Sequence, residues 1–498
     1  MRAIIITLVL SLFVCQVFGQ SIDEAMRTRK SFYYLNFKKY PVQDKSLPVG
    51  VFDSGTGGLT VLNAIVNFDK FQNNTNTNIP DGQPDFAKEK LIYLADQANM
   101  PYGNYAAAGK TDLLQEHVLK DVQFLLGNKY YQNGQSANYQ TDKQKVKVLV
   151  IACNTATAYG QSKIEAFLKT VGLPIKVIGV IDAGSRGALQ TFKKDENGSI
   201  GIFATAGAVA SEGYDRAIRR FQTEQGYTGQ IQLYGQGGVG LAEAIDEDPN
   251  FINRTAQKPR ENYRGPNVAG AGLVIERQLL KIYNFDFEGQ KMLCDASKVD
   301  DCSQLQINSA ENYVRYHLVT LLEKMRLTTN VLPLKTLILG CTHYPYMAEP
   351  IEKVLTELRN YEENSQPRYK HLLAEKVALI DPAINTAREL YDYLYASKSF
   401  NSSADMATQS EFYISVPNVL NTNVKTETDG RFTYDYKYGR VVNELQEYVK
   451  VVPFSNKNIS ADVIDRLRKQ IPNTFELIKR FGTNSKTSFM GVGERIVE

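Results

Sequence analysis

Two short segments, one on each side of the chain's middle, share a single plan. One reads Lys147-Val148-Leu149-Val150-Ile151-Ala152-Cys153-Asn154-Thr155 and the other Lys335-Thr336-Leu337-Ile338-Leu339-Gly340-Cys341-Thr342-His343. Each is an apolar run of buried-strand length, followed by a small residue, a cysteine and small polar donors. Runs of this kind suit parallel strands covered on both faces. In an open α/β sheet, ligands sit just beyond the carboxyl ends of the strands, so both thiols fall where chemistry is usually done. A lone cysteine after a strand is more often a small buried hydrophobe. Two in the same setting argue for a shared task.

A third segment, Val49-Gly50-Val51-Phe52-Asp53-Ser54-Gly55-Thr56-Gly57-Gly58-Leu59-Thr60, is again a strand running into polar and glycine-rich residues. Its backbone N–H groups would open a following helix, a place that receives carboxylates well. Taken singly, Ser54 could instead cap that helix and Asn154 could satisfy a turn. The 498 residues, 43% of them hydrophobic, can bury two or three domain-sized cores. A formal net charge of +3 is too small to argue for nucleic acid or an acidic membrane surface.

The motifs resemble the aspartate/glutamate racemase family, glutamate racemase most closely, over about residues 48 to 415 with gaps. Asp53-Ser54-Gly55-Thr56-Gly57-Gly58 is similar to the first glycine-rich signature, and Tyr93-Leu94-Ala95-Asp96 through Met100-Pro101-Tyr102-Gly103 to the second. Cys153-Asn154-Thr155-Ala156-Thr157-Ala158 and Gly340-Cys341-Thr342-His343-Tyr344-Pro345 resemble the two cysteine boxes, in family order. The resemblance implies an α/β fold of two similar lobes with parallel, helix-covered sheets and the active site between them, plus a C-terminal extension.

It also implies a cofactor-independent racemase that interconverts L- and D-glutamate, with no metal, and aspartate or another acidic amino acid as the alternative substrate. Cys153 and Cys341 would be the acid/base pair, one on each face of the α-carbon, assisted by Asp53 and His343 respectively. Substrate contacts carry over onto Asp53, Ser54, Tyr102, Gly103, Asn154, Thr155, Thr342 and His343, with Glu243 and Thr205 as further candidates. In this family, D-glutamate goes to peptidoglycan and the cell wall. A rival from another class is a secreted amino-acid-binding protein that has lost turnover; pure binding would not require both thiols.

The sequence departs from the family at three points. Gln97 follows Asp96 where threonine is usual, Ala208 replaces a threonine expected to serve as a substrate donor, and the segment before Glu243 has become Gly235-Gln236-Gly237-Gly238-Val239-Gly240. That last run spells G-x-G-x-x-G, but a lone match late in the chain, without an acidic ribose partner, is a weak dinucleotide signal. No C-x-x-C or H-x-x-x-H pair accompanies Cys153, Cys341, His343 and Asp53, so a metal site is not expected. His117, His317 and His371 stand isolated, as packed or surface histidines do.

Residues 1–19 combine a charged start, a short apolar run and a small residue at Gly19, the layout of a secretory signal. Secretion or periplasmic export is therefore expected, with a cytoplasmic location the alternative and no stable membrane anchor. The remaining boundaries are an N-terminal extension over 20–47 and lobe one over 48–178 with a return at about 379–396. Lobe two covers 179–378 with an insertion at about 246–308, and a C-terminal extension occupies 397–498. The partner is a small amino acid, nucleic acid is not expected, and a homodimer is left open. In the extension, alternating patterns around 412–416 and 431–438 predict a hairpin, while 72–78 and 131–144 read as surface loops. Four cysteines would remain after export. Cys294 and Cys302 are expected to pair and Cys153 and Cys341 to stay free, with four thiols as the alternative.

Overall fold

The computed structural model describes residues 20–497 apart from 74, 76, 269–272 and 403–408, so the predicted signal at 1–19 lies outside the described residues. The principal strands in chain order are β1 Val49–Asp53, β2 Leu91–Ala95, β3 Val148–Ile151, β4 Lys176–Gly179, β5 Gly198–Ala204, β6 Ile231–Gly237, β7 Leu334–Gly340, β8 Leu373–Ile380, β9 Glu411–Pro417 and β10 Val449–Pro453. They form two sheets, ordered β10-β9-β2-β1-β3-β4 and β8-β7-β5-β6. Every pairing is parallel except the antiparallel β9–β10 edge.

The expected two parallel, helix-covered sheets are therefore present, and the reason is visible in the sequence. β1, β2 and β3 are buried along their whole length, as strands covered on both faces must be. Their cover comes from helices that each bury one stripe. Among them are α1 Leu59–Val66, α2 Thr111–Leu126 and α3 Asn154–Thr170, which contribute Leu62, Val118 and Ile164 to one large cluster with the first sheet. The second sheet packs with α4 Val180–Leu189, α5 Ala206–Ala210, α6 Gly213–Glu224, α7 Leu241–Ile245, α8 Ala310–Arg326 and α9 Ala348–Asn360. α10 Pro382–Ala396 follows β8 but returns Ala387, Leu390 and Leu394 to the first cluster. Among the described residues no helix is long and apolar enough to cross a membrane.

The extensions are structural members of the first lobe. Ile22, Met26 and Leu35 from the N-terminal segment join its core, and the Tyr40 hydroxyl donates to the Val146 carbonyl at 2.7 Å. At the C-terminus, β9 and β10 widen the first sheet. α11 Ala461–Gln470 and α12 Pro472–Gly482 then seat Ile464, Leu467, Phe475, Ile478 and Phe481 in the same cluster.

The predicted hairpin is corrected: β9 pairs with Val449–Pro453, whereas residues Tyr434–Gly439 form a helical turn. Aromatics at Phe432, Tyr434, Tyr436 and Tyr438 satisfy both a period of two and i,i+4 spacing. The helix wins because Thr433 caps it and the rings meet at i,i+4, Phe432 on Tyr436 at 5.3 Å and Tyr434 on Tyr438 at 4.7 Å. The predicted loop at 131–144 likewise contains a small ribbon, Tyr130–Tyr131 against Tyr139–Gln140. In the insertion, Met292–Cys294 pairs antiparallel with Leu305–Ile307, and the Cys294–Cys302 disulfide closes the turn with its Cα atoms 5.6 Å apart. Cys153 and Cys341 are free and buried.

Candidate active site

Register brings the strand ends together. Phe52 pairs with Ile151 and Asp53 with Ala95, so the segments after β1, β2 and β3 leave the first sheet side by side. The two cysteine boxes then meet directly. The Asn154 amide of the first donates to the Gly340 carbonyl of the second at 3.2 Å, and Tyr214 on α6 fixes that amide by donating to Asn154 Oδ1 at 3.0 Å. The glycine-rich turn after β1 approaches the same place: a Cβ on Gly57 would lie 3.7 Å from Asp53 Oδ2 and 4.0 Å from Thr342 Oγ1. Ser54, Asn154, Thr155, Thr342 and His343 are all half-buried.

On the first side, Cys153 caps α3 and its sulfur accepts the Ala156 N–H at 3.4 Å. Its thiol points at Ser54 Oγ, 3.8 Å away. Asp53 is enclosed by its own turn, accepting from the N–H groups of Gly55 at 3.2 Å and Gly58 at 2.9 Å. Gly58 must be glycine there, because a Cβ would press on Asp53 and stand 2.9 Å from Ala152 Cβ. The Tyr93 hydroxyl holds the turn from below, donating to the Gly55 carbonyl at 2.7 Å. Burial pushes the Asp53 carboxyl up despite these hydrogen bonds. Burial first, and the Asp53 charge second, push the Cys153 thiol up to about 12.

The second side is built differently. Cys341 follows directly on β7, and its sulfur lies 3.7 Å from His343 Nδ1. Thr342 Oγ1 is 3.4 Å from the same nitrogen. His343 Nε2 lies 3.2 Å from Asp246 Oδ2, which also receives Arg466 at 2.9 Å. Burial alone would lower the imidazole, but the bonds to Asp246 and Cys341 outweigh it and hold His343 up at about 10. Asp246 is held below the usual carboxylate range, because His343 and Arg466, with a contribution from Gln470, outweigh its burial. A doubly protonated imidazole can donate to Asp246 from one nitrogen and to a Cys341 thiolate from the other.

The remaining sequence candidates sort by position. Tyr102 is buried, with its hydroxyl 2.6 Å from both Asp96 Oδ2 and Asp121 Oδ2. One hydroxyl proton cannot serve both, and Asp121, pushed well up by burial and then by the Asp96 charge, supplies the second. Tyr102 and Gly103 can therefore offer the cleft only backbone, and Gly103 faces open space. Asp96 also accepts from Asn99 and from Ser415 of β9, so the second signature is tied to the extension. Gln97 and Met100 lean over Gly55.

Thr205 is exposed and spends its hydroxyl capping α5, accepting from the Ala208 N–H at 3.2 Å. The Ala208 side chain is buried in the core cluster with Ile181 and Tyr214. Glu243 is exposed on α7, and the carboxylate on His343 is Asp246, three residues further on. Asp246 was the missed residue; i,i+3 spacing on one short helix was the available signal. The space beside the glycines of the G-x-G-x-x-G run is filled by protein: a Cβ on Gly235 would meet Val209 at 2.7 Å, and one on Gly240 the Tyr313 ring at 2.7 Å. His317 Nε2 takes the Val239 carbonyl at 3.1 Å, and burial keeps this histidine neutral, down at about 4.

No family model matches the chain. It is similar to the glutamate racemase of Levilactobacillus brevis, 26% identical over 365 residues covering 73% of this chain and 85% of that protein. The glutamate racemase of Oceanobacillus iheyensis is 26% identical over 74% of this chain and 86% of its own. That of Enterococcus faecalis is 34% identical over a shorter stretch, 34% of this chain and 46% of the relative. Among solved structures, a glutamate racemase isoform from Bacillus anthracis aligns with a TM-score of 0.41 and 22% identity, covering 74% of this chain and 87% of the other. The Francisella tularensis glutamate racemase in complex with D-glutamate aligns with a TM-score of 0.39 and 20% identity, covering 80% and 95%.

Proposed function

The chain belongs to the aspartate/glutamate racemase family, and on that premise we propose that it is a cofactor-independent racemase interconverting L- and D-glutamate by two-base proton transfer. The observation that supports this reading is the Asn154–Gly340 bridge, which joins the two segments that carry the free thiols Cys153 and Cys341. An amino acid's α-proton is weakly acidic, and without a pyridoxal ring there is no electron sink. The site must then hold the α-carboxylate by hydrogen bonds, exclude water and keep a thiolate close.

The Cys341 thiolate takes the Cα proton of L-glutamate, and the electron pair left behind spreads into the α-carboxylate. The Cys153 thiol gives its proton to the opposite face, and D-glutamate forms. The reverse reaction starts with Cys153 as thiolate and Cys341 as thiol. Asp53 and His343 carry protons between these states. The first-turn N–H groups of Asn154 and Thr155 are not spent on Cys153, whose sulfur and carbonyl take those of Ala156 and Thr157. They are the donors suited to a carboxylate at the helix start.

Export belongs to the same proposal. Residues 1–19 have the layout of a secretory signal, and a Cys294–Cys302 disulfide is what an oxidising compartment preserves. The deciding experiment is incubation with each enantiomer of glutamate and aspartate in deuterium oxide. Solvent deuterium at Cα of both glutamate enantiomers, with drift to an equal mixture, is the expected result. Faster incorporation into aspartate would move the assignment to that substrate. No incorporation into any of the four would sink the racemase reading in favour of a binding protein.

A further inference from the structure

We propose that the C-terminal extension belongs to the acid/base apparatus: Arg466 is a positioning residue that fixes the Asp246 carboxylate on His343 and so keeps the imidazole aimed at Cys341. This rests on the reading of Cys341 and His343 as one of the two proton-transfer couples. The contacts form one line. Arg466 Nη1 lies 2.9 Å from Asp246 Oδ2, that same oxygen lies 3.2 Å from His343 Nε2, and His343 Nδ1 lies 3.7 Å from the Cys341 sulfur.

The helix that carries Arg466 is built for this reach. α11 buries Ile464 and Leu467 in the first-lobe core, while Arg466 and Gln470, four residues apart on another face, turn toward Asp246 at the end of α7 in the second lobe. The next helix is fastened to α1, directly after the glycine-rich turn, where the Thr474 hydroxyl donates to Asn63 Oδ1 at 3.0 Å. The extension thus touches the helix behind one half of the site and the carboxylate behind the other. An ion pair with Arg466 35% and Asp246 21% exposed adds little to stability. Apolar burial already holds α11, so the pair is better explained by what it does to Asp246.

The sign of the effect separates positioning from simple charge. The titratable and charged groups facing the couple are Cys341, Tyr346 and Arg466, with Asp381 beyond it beside Tyr346. A guanidinium acting on His343 directly would oppose the imidazolium, so its loss would move the histidine up. A guanidinium acting through Asp246 favours the imidazolium, so its loss lets Asp246 turn away and moves the histidine down.

The test uses the full chain with carbon-13-labelled histidine, only four of which are present. His343 is assigned with a His343→Asn variant and titrated by NMR in wild type, Arg466→Ala, Arg466→Lys, Asp246→Asn and Lys469→Ala. Turnover is followed against pH in parallel. Arg466→Ala is expected to move His343 down by about one pH unit. It should also lower kcat about tenfold with little change in KM, a loss of the size expected for a misaligned acid/base group. Arg466→Lys should recover most of both, and Lys469→Ala, on an exposed residue of the same helix, should change neither. In an Asp246→Asn background, Arg466→Ala should add nothing. A His343 that stays in place or moves up in Arg466→Ala, or an undiminished effect in the Asp246→Asn background, overturns the proposal. If wild type turns over no amino acid, the racemase reading fails on its own, and the titration still decides whether Arg466 governs His343.

Discussion

The two thiols follow similar strands and sit in opposite electrostatic settings. Cys153 shares a buried corner with a carboxylate, and burial plus the Asp53 charge push it up to about 12. Cys341 stands beside a histidine held up at about 10 by Asp246 and by the thiol itself, against the burial that would lower it. The Cys153 half therefore keeps a proton on sulfur. The other stores a cation next to sulfur. For the proposed reaction this difference makes Cys153 the proton-holding side and places the His343 cation beside Cys341.

Thermodynamics limits where such asymmetry can show. The two enantiomers are equal in free energy, so kcat/KM must be the same in both directions whatever the residues do. Differences between the halves can appear only in kcat and KM separately, in pH dependence, or in the thiols themselves.

The largest effect comes from deleting either thiol. Cys153→Ala and Cys341→Ala should each lower racemisation by about 10²–10⁴-fold or more, the worth of a positioned acid/base group, as followed by chiral chromatography. Near-wild-type turnover in either variant ends the two-base assignment. A second comparison reads the resting state without turnover, by peptide mass spectrometry after a short iodoacetamide pulse at pH 8. A thiol held at about 12 is thiolate in about one molecule in 10⁴ at that pH, so Cys341 should label at least tenfold faster. Asp53→Asn removes the charge that raises Cys153 and should speed its labelling. His343→Asn removes the adjacent cation and should slow labelling of Cys341. Equal labelling of both cysteines in wild type would mean that the two halves do not differ.

Much of this comparison could be read from the chain before any fold was known. Apolar runs ending in Cys153 and Cys341 needed burial on both faces, which gives parallel strands, and parallel strands put their ends at a common edge. The partners of the thiols were less evenly visible. His343 lies in the same short motif as the thiol it shapes, and Asp53 lies in the first glycine-rich signature, the other conspicuous strand end. Glu243 is the residue to which the family resemblance points; Asp246 lies one helical turn on, and only tertiary packing puts it on His343. Arg466 could not be found at all, since its link to His343 spans more than a hundred residues and depends on how α11 docks. The tail hairpin failed for a local reason: an aromatic every second residue fits a strand and an i,i+4 helix equally well. Ala208 was a matter of direction, because position in a motif does not say which way a side chain points.

That direction yields the smallest and sharpest prediction. If the Ala208 methyl faced the cleft, threonine there would add a donor and tighten glutamate by the worth of a hydrogen bond to a charged group, about 1.5–3 kcal/mol. The structure instead buries Ala208 in the core cluster of the second sheet, with its N–H already taken by Thr205. Two extra heavy atoms would then overpack the core, and the hydroxyl would be buried with it. Ala208→Thr should lower stability by about 1–3 kcal/mol and leave glutamate affinity unchanged or weaker, as measured by thermal unfolding and by KM in the same preparation. Tighter glutamate binding with an unchanged Tm would reverse the placement and put a missing substrate contact on the Cys341 side of the cleft.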